Sequence, residues 1–510
     1  MTLLNIRRIL QYEHLLLLPI LGLAFYIAFI PHLNYPYPLH VDEWVHLARS
    51  QAIVQAGSTT FADPFSGQET LSLSSNLEAS FQLFWGVFQA ISGISWMVIF
   101  RYFPGIIFII TVLSVYIMAR REGFGWEATF FTCLIPSTVG ILGPAFLVPV
   151  SMGLLFTPLI LFITFNFRTI WSYLLIFILI SFLLAIHAPS AISPIIVLTP
   201  YILLNLKGNF KHSLGIVLAL LLPFLIVFPW IFDLLLTTAG SLLIPNPPTE
   251  YVQLPKVIES YFSLRYREPI SYLPILVFLL GVFLLALRGG KKNYGLVLGL
   301  LALLLMLVTF FTFHYGVAIM YERGLMFLML MISIIAGAGL TGIKNLRLPG
   351  RVNTWLRMPL ITQNAGRFFC LAIIAITLVI AIPHRLATPY YQMIDSEDYQ
   401  AFVWIRNNVS QDYEKAILDP WKATAFTAIT GKQVFTRIHT AHGPQDLIAY
   451  DFLRGGSTNT TMLNENEISI IYTRLYDGAQ NRNFEFNSNN PNLVMVAKNI
   501  YLLKKVEEKE

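Results

Sequence analysis

The feature that most restricts this chain is its succession of apolar runs. Segment after segment approaches the ~20 residues that cross hydrocarbon as an α-helix, as in "FPGIIFIITVLSVYIM" and "YGLVLGLLALLLMLVTFFTF". Lipid offers no water to backbone N–H and C=O groups, so only helices and closed barrels span it. Barrel strands alternate apolar and polar residues; these runs do not. With 56% hydrophobic and 12% charged residues, the chain carries about half the charge of a soluble domain. It reads as a polytopic α-helical membrane protein.

Eleven spans are expected, near residues 15–30, 101–119, 127–145, 149–165, 170–187, 190–206, 213–231, 271–287, 294–313, 324–342 and 368–386. Arg7 and Arg8 precede the first. No small-residue cleavage site follows it, so it reads as a retained helix rather than a signal peptide. The stretch Phe81–Phe100 is set apart, because Gly86, Gly93 and two serines interrupt it; it reads as interfacial or re-entrant. Cytoplasmic loops gather Lys and Arg. One set of loops holds Arg7, Arg8, Arg120, Arg121, Arg168, Lys207, Lys211, Arg288, Lys291, Lys292 and Lys344, while the opposite set holds few. That asymmetry puts the N-terminus in the cytoplasm. It puts the first loop, about 31–100, and everything beyond 389 outside.

Two modules follow: a membrane module over 1–388 and an extracytoplasmic mixed α/β domain over 389–510. In the latter, "SEDYQAFVWIRNNV" has helical spacing of Tyr399, Phe402, Val403 and Ile405, and "KAILDP", "ISIIYT" and "NLVMVAKNIYLLKK" read as strands. The net charge of +6 is accounted for by topology, with no nucleic-acid partner implied. Cys133 and Cys370 fall in apolar runs and read as buried thiols. Asn408-Val-Ser and Asn459-Thr-Thr match the N-glycosylation acceptor pattern.

At the outer edge of the first span lies "YPLHVDEWVHLARSQAIVQAG". As a helix beginning near Asp42, it sets Asp42, His46 and Arg49 on one face, with Val41, Trp44, Val45, Ala48 and Ala52 marking an apolar side. Such a helix lies along a membrane surface. Two readings fit its carboxylates. An aspartate at a helix start commonly caps free N–H groups; alternatively, Asp42 and Glu43 face a substrate. The whole-chain charge map bears on the choice. A transporter places ionisable groups within its spans, and these spans hold almost none. Polar groups gather instead at outer ends: Asp42, Glu43, Asp63, His187, Asp233, His314, Glu322 and Arg323. His187 and His314 read as satisfied interfacial histidines. Arg323, beside Glu322 at the mouth of the tenth span, has a planar donor fork suited to a phosphate. Arg265 and Arg267 are second candidates for that role.

A first span, then an outside loop opening on Asp-Glu with a histidine three residues later, resembles the GT-C class of membrane glycosyltransferases. "VDEWVHLARSQAIVQAG" is similar to the Asp-Glu motif of protein O-mannosyltransferases and aminoarabinose transferases. "FADPFSG", with Asp63, and "RYFPGIIFIITVLSVYIMARREGFG" are similar to further stretches of those families. The Pro-Pro-Leu stretch and a Trp-Trp-Asp motif are absent. The resemblance implies inverting transfer of a sugar from a polyprenyl- or dolichyl-phosphate donor to a glycan, lipid or protein acceptor. Asp42 is then the base, with Glu43 orienting it. His46, Arg49, Asp63 and Glu322 contact substrate, and Arg323, Arg265 and Arg267 meet the phosphate. The carboxylates are compatible with a divalent metal, but no closed ligand set is visible. The expected setting is the plasma membrane of an archaeon or bacterium. A lipid-linked-sugar flippase and an oligosaccharyltransferase-like enzyme are the alternatives.

Overall fold

A computed structural model describes residue 15 and residues 17–504, apart from 68–69, 73–75, 77, 138–141, 243–253, 265–267, 315–317, 347–363, 389, 391, 439–442, 456–459, 477–485 and 487–489. The side chains of 230–242 and 318–322 are also left undescribed. The chain divides into two compact units, each built from separated stretches: residues 1–34 with 102–390, and residues 35–101 with 391–510. In the second unit the first loop and the C-terminal region therefore pack as one body.

In chain order the elements begin with α1 (Leu17–Phe29), α2 (Val41–Ala56), the short antiparallel pair β1 (Phe61–Ala62) and β2 (Thr70–Leu71), and α3 (Ala79–Ser92). Next come α4 (Trp96–Arg121), α5 (Gly125–Thr132), α6 (Pro149–Asn166), α7 (Ile170–Ile186), α8 (Ala188–Asn205), α9 (Phe210–Leu242) and α10 (Leu254–Phe262). Then follow α11 (Leu273–Arg288), α12 (Lys291–Phe313), α13 (Ala318–Lys344) and α14 (Ala365–Ala387). The C-terminal stretch holds α15 (Ser396–Asn408), β3 (Lys415–Ile417), α16 (Ala423–Thr430), β4 (Gln433–Val434), α17 (Pro444–Arg454) and α18 (Thr460–Glu465). It closes with β5 (Ile468–Tyr472), β6 (Leu493–Ala497) and β7 (Ile500–Leu503).

Among the described residues, eight helices are long and apolar enough to cross a membrane, and the apolar helices Leu17–His32 and Ile170–Ile186 are shorter. Among the described residues the count of eleven is not confirmed. The expected span over 127–145 is the clearest departure: its helix α5 has only 8 residues. Pro136, Gly140, Gly143 and Pro144 follow, and they remove N–H donors and favour non-helical backbone. Residues 142–150 are all buried, the condition under which irregular backbone is tolerated at membrane depth.

The membrane unit is organised around α13, whose apolar stretch is 89% buried and packs on α5, α11, α12 and α14. Its fit with α11 depends on small residues. A Cβ on Gly281 would come within 2.0 Å of the Ile335 carbonyl oxygen, and one on Gly339 within 2.0 Å of that of Val277. Two bare backbones thus touch, as small residues allow between helices in lipid. At one end of this bundle Lys344 pairs with the buried Glu127 and lies 4.9 Å from the centre of the Trp126 ring.

In the second unit, five strands form one sheet in the order β4-β3-β5-β7-β6. β3 is parallel to β4 and β5, and β7 is antiparallel to β5 and β6. Ile417, Ile468 and Ile471 from the strands and Phe452, Leu453 and Leu463 from α17 and α18 form the core beside it. The expected helix over "SEDYQAFVWIRNNV" is α15, with Phe402 and Ile405 buried. Asp395 caps it, accepting from the N–H groups of Glu397 (2.9 Å) and Asp398 (3.0 Å), while Asp398 accepts from Asp395 N–H (3.0 Å). The same Asp398 carboxylate takes bonds from Lys422 Nζ (2.7 Å) and the Tyr472 hydroxyl (2.7 Å). That gives a buried lysine the partner it requires.

Candidate active site

The helix with the Asp-Glu pair starts one residue earlier than expected and is capped differently. His40, extended at φ −122° and ψ 154°, is its N-cap, and its Nδ1 accepts from Asp42 N–H at 3.1 Å. Accepting there requires an unprotonated Nδ1. Glu43, three residues on, turns back: its Oε2 accepts from the N–H groups of Leu39 (2.7 Å) and His40 (3.3 Å). This reciprocal capping box satisfies donors that a helix start otherwise leaves orphaned. Helix α2 ends on Gly57, whose φ of +60° suits glycine at a helix C-terminus.

The two adjacent carboxylates therefore stand in different surroundings. The residue Glu43 is 0% exposed, whereas the Asp42 side chain keeps 35% of its surface and lies 3.5 Å from His40 Nδ1. Asp42 also sits in the first turn, where the positive end of the helix favours a negative charge.

Helix α2 is not the simple surface helix expected from its sequence. It packs on both α3 and α16, so Trp44, His46, Leu47 and Ala48 are all buried. His46 Nε2 lies 3.9 Å from Glu78 and its ring meets Phe81 edge-on at 4.9 Å. Arg49 Nε lies 3.5 Å from Asp63 Oδ1, and Arg437 Nη2 lies 3.4 Å from the other oxygen. Arg437 also stacks at 3.9 Å on Phe65. Asp63, only 3% exposed in its side chain, thus links the first loop to the C-terminal stretch. Two further contacts tighten the same join. The Tyr35 hydroxyl donates to the Ile394 carbonyl (2.7 Å), and Tyr37 stacks on Tyr399 at 4.8 Å.

The structure brings together Asp42, Glu43, His46, Arg49 and Asp63 within the second unit. Arg323 is half-buried in α13 of the membrane unit. Arg265, Arg267 and the Glu322 side chain lie outside the described residues. His187 Nδ1 pairs with Ser190 Oγ at 2.7 Å, and His314 ends α12 at φ 60°. Among the described residues, no three His, Cys, Asp or Glu side chains are grouped so as to hold a metal ion. Cys133 and Cys370 are buried free thiols.

Sequence reasoning passed over His40, Arg437 and Arg385. A glutamate at the third helical position is a local capping-box signal, but His40, two residues before Asp42, is not among the common N-cap residues. Arg437 has no local signal, since its partner is 374 residues away. Arg385 sits fully buried near the end of α14. Its Nη2 donates to the carbonyls of Leu134 (2.7 Å) and Tyr261 (3.4 Å), and its Nη1 to Ser260 Oγ (3.2 Å). These acceptors lie at or just beyond the C-terminal ends of α5 and α10, where a cation is favoured by exposed carbonyls and the helix dipole.

With this geometry in place, comparison with solved structures gives the fold class. The apo oligosaccharyltransferase of Archaeoglobus fulgidus superposes with a TM-score of 0.59 at 11% identity, over 89% of this chain and 69% of that one. AglB of the same organism, in complex with an inhibitory peptide and a dolichol-phosphate, gives 0.59 at 11%, over 90% and 69%. The mycobacterial arabinofuranosyltransferase AftD gives 0.57 at 15%, over 94% of this chain and 37% of that one. These are GT-C class membrane glycosyltransferases, and this chain has their fold. No protein-family model matches the sequence, and no curated protein matches it by sequence.

Proposed function

We propose that this protein is a glycosyltransferase that moves a sugar from a polyprenyl- or dolichyl-phosphate carrier to an acceptor at the outer membrane face. The observation carrying the reading is the division between the paired carboxylates: Glu43 is consumed in capping, while Asp42, held on the same helix start, keeps an accessible carboxylate. The acceptor oxygen attacks the anomeric carbon and its proton passes to Asp42. The bond from that carbon to the phosphate oxygen breaks, and the configuration inverts. Positioned proton transfer of this kind contributes roughly 10²–10⁴-fold. Glu43 and His40 act as positioning residues, fixing the backbone on either side of Asp42. Arg323, Arg265 and Arg267 are the candidate cations for the leaving phosphate, whose growing charge such groups stabilise. His46, Arg49, Asp63 and Glu322 complete the proposed set, with Asp63 and Arg49 shaping the site through their mutual contact.

The dolichol-phosphate in the AglB complex and the acceptor peptide tethered to the A. fulgidus enzyme support a lipid-phosphate donor and leave a protein acceptor open. The test is Asp42→Asn. The variant is expected to insert and fold like wild type and to lose at least ~10²-fold in transfer from a polyprenyl-phosphate sugar. Near-normal turnover would remove Asp42 as the base. Lipid movement in proteoliposomes without any transfer product would replace the enzyme reading with that of a flippase.

A further inference from the structure

The paired helices α2 and α3 enclose a groove that the proposed transfer chemistry does not use. It holds about 320 Å³, and its walls are Ile53 and Val54 of α2 and Leu83, Val87, Ala90 and Ile91 of α3. Its only polar edge is the turn Gly57–Thr59, and none of its lining residues is charged. The apolar surface continues outward from the groove. Val54 is 39% exposed, Phe84 and Val87 are each 42%, and Ile91 is 82%. Positions 84, 87 and 91 recur at helical spacing, so they form one stripe. A stripe of this kind in water marks a surface that is normally covered.

The chain itself indicates what covers it. Helix α3 ends at Gly93 in the left-handed conformation (φ 66°). Three residues later Trp96 opens α4, a helix long and apolar enough to cross a membrane. Tryptophan at the start of a span is the usual marker of the membrane–water interface. Val98, two residues into α4, is again exposed at 42%. The apolar stripe of α3 is therefore continuous along the sequence with a membrane-facing surface, and hydrocarbon is the apolar material at hand.

We propose that the α2–α3 groove holds one acyl chain of a phospholipid from the adjoining leaflet, its carbonyl end at the Ser58–Thr59 edge. The lipid would seat the distal half of the helix that carries Asp42. This assignment is independent of the transfer reaction. The test reconstitutes the full chain in phosphatidylcholine vesicles containing a phosphatidylcholine with a photoactivatable diazirine on one acyl chain. Adducts are then mapped by mass spectrometry. Adducts are expected on 53–59 and 83–91 as well as on α4. Ala90→Trp, which fills the groove, and Ile91→Lys, which charges its exposed rim, should each lower groove adducts about tenfold and leave α4 adducts unchanged. Ile91 is largely exposed, so its variant reports on binding even where the tryptophan disturbs packing. Three results overturn the proposal: α4 labelled with no groove adducts, groove adducts undiminished in Ile91→Lys, or groove adducts displaced by unlabelled polyprenyl phosphate, which would make the groove a donor site.

Discussion

Replacing Asp63 with asparagine separates two roles the sequence could not distinguish, contact with substrate and internal ion pairing. The carboxylate is nearly enclosed, with Arg49 at 3.5 Å and Arg437 at 3.4 Å on its two oxygens. At an effective dielectric of ~20, each pair attracts by about 5 kcal/mol before desolvation is subtracted. Desolvation of three ions offsets most of that, but it has already been incurred in the folded state. Deleting the shared anion leaves two poorly hydrated guanidinium groups without it, a loss of about 3–5 kcal/mol. For a unit of this size, that lowers the unfolding midpoint by roughly 10 °C. Fluorescence-monitored thermal unfolding in detergent reads the shift, and limited trypsin digestion shows whether the C-terminal stretch loosens. Asp63→Asn should melt early and become trypsin-sensitive. A midpoint within about 1 °C of wild type, with unchanged digestion and a raised KM, would refute the ion-pair reasoning and return Asp63 to direct substrate contact.

Three further outcomes follow from the same packing. Gly86→Ala should cost about 1–3 kcal/mol, because its new Cβ would lie 2.8 Å from the Ser50 carbonyl oxygen and from Val54 Cγ2; the unfolding midpoint checks this. Arg385→Leu should destabilise the membrane unit by at least ~2 kcal/mol by leaving carbonyls at two helix ends unpaired. Arg385→Lys should rescue only part, since a lysine lacks the planar fork; protease access to α10 reports both. Finally, burial works to raise the Asp395 carboxyl, but the bonds from Arg474 and the Asp398 N–H outweigh it and hold the carboxyl at about 2. A depressed acid stabilises the fold above its ordinary value near 3.8 and loses that stabilisation as pH falls towards 2. Arg474→Met should therefore flatten the fall in midpoint between pH 5 and pH 2.5, an effect of about 1 kcal/mol or less for a half-exposed group.

The parts of the fold that the sequence announces are those set by local periodicity. The apolar runs gave most of the long helices, and the spacing of Phe402 and Ile405 gave α15 with its buried face. The break after α5 was visible in Pro136, Gly143 and Pro144, but hydropathy averaged over the run concealed it. At the candidate site, Asp-Glu at a helix start was legible as either cap or catalyst. Only the coordinates assign the capping to Glu43 and His40. Arg49 and Asp63 were legible as candidates, but their closure by Arg437 could not be read, because Arg437 lies 374 positions from Asp63 with no pattern linking them. The burial of α2 on two sides likewise depends on α16, whose sequence "ATAFTAIT" gives no hint of its partner.

The joining of residues 35–101 with 391–510 in one compact body sets an order of events during synthesis. The first loop emerges early, yet its packing partner follows about 290 residues later. At ~5–20 residues per second, the loop waits roughly 15–60 s for that partner. Throughout that interval α2, whose Trp44 ends fully enclosed, lacks α16, one of the two helices it packs on in the finished unit. A chain halted before residue 391 would therefore leave the helix that carries Asp42 without that packing partner.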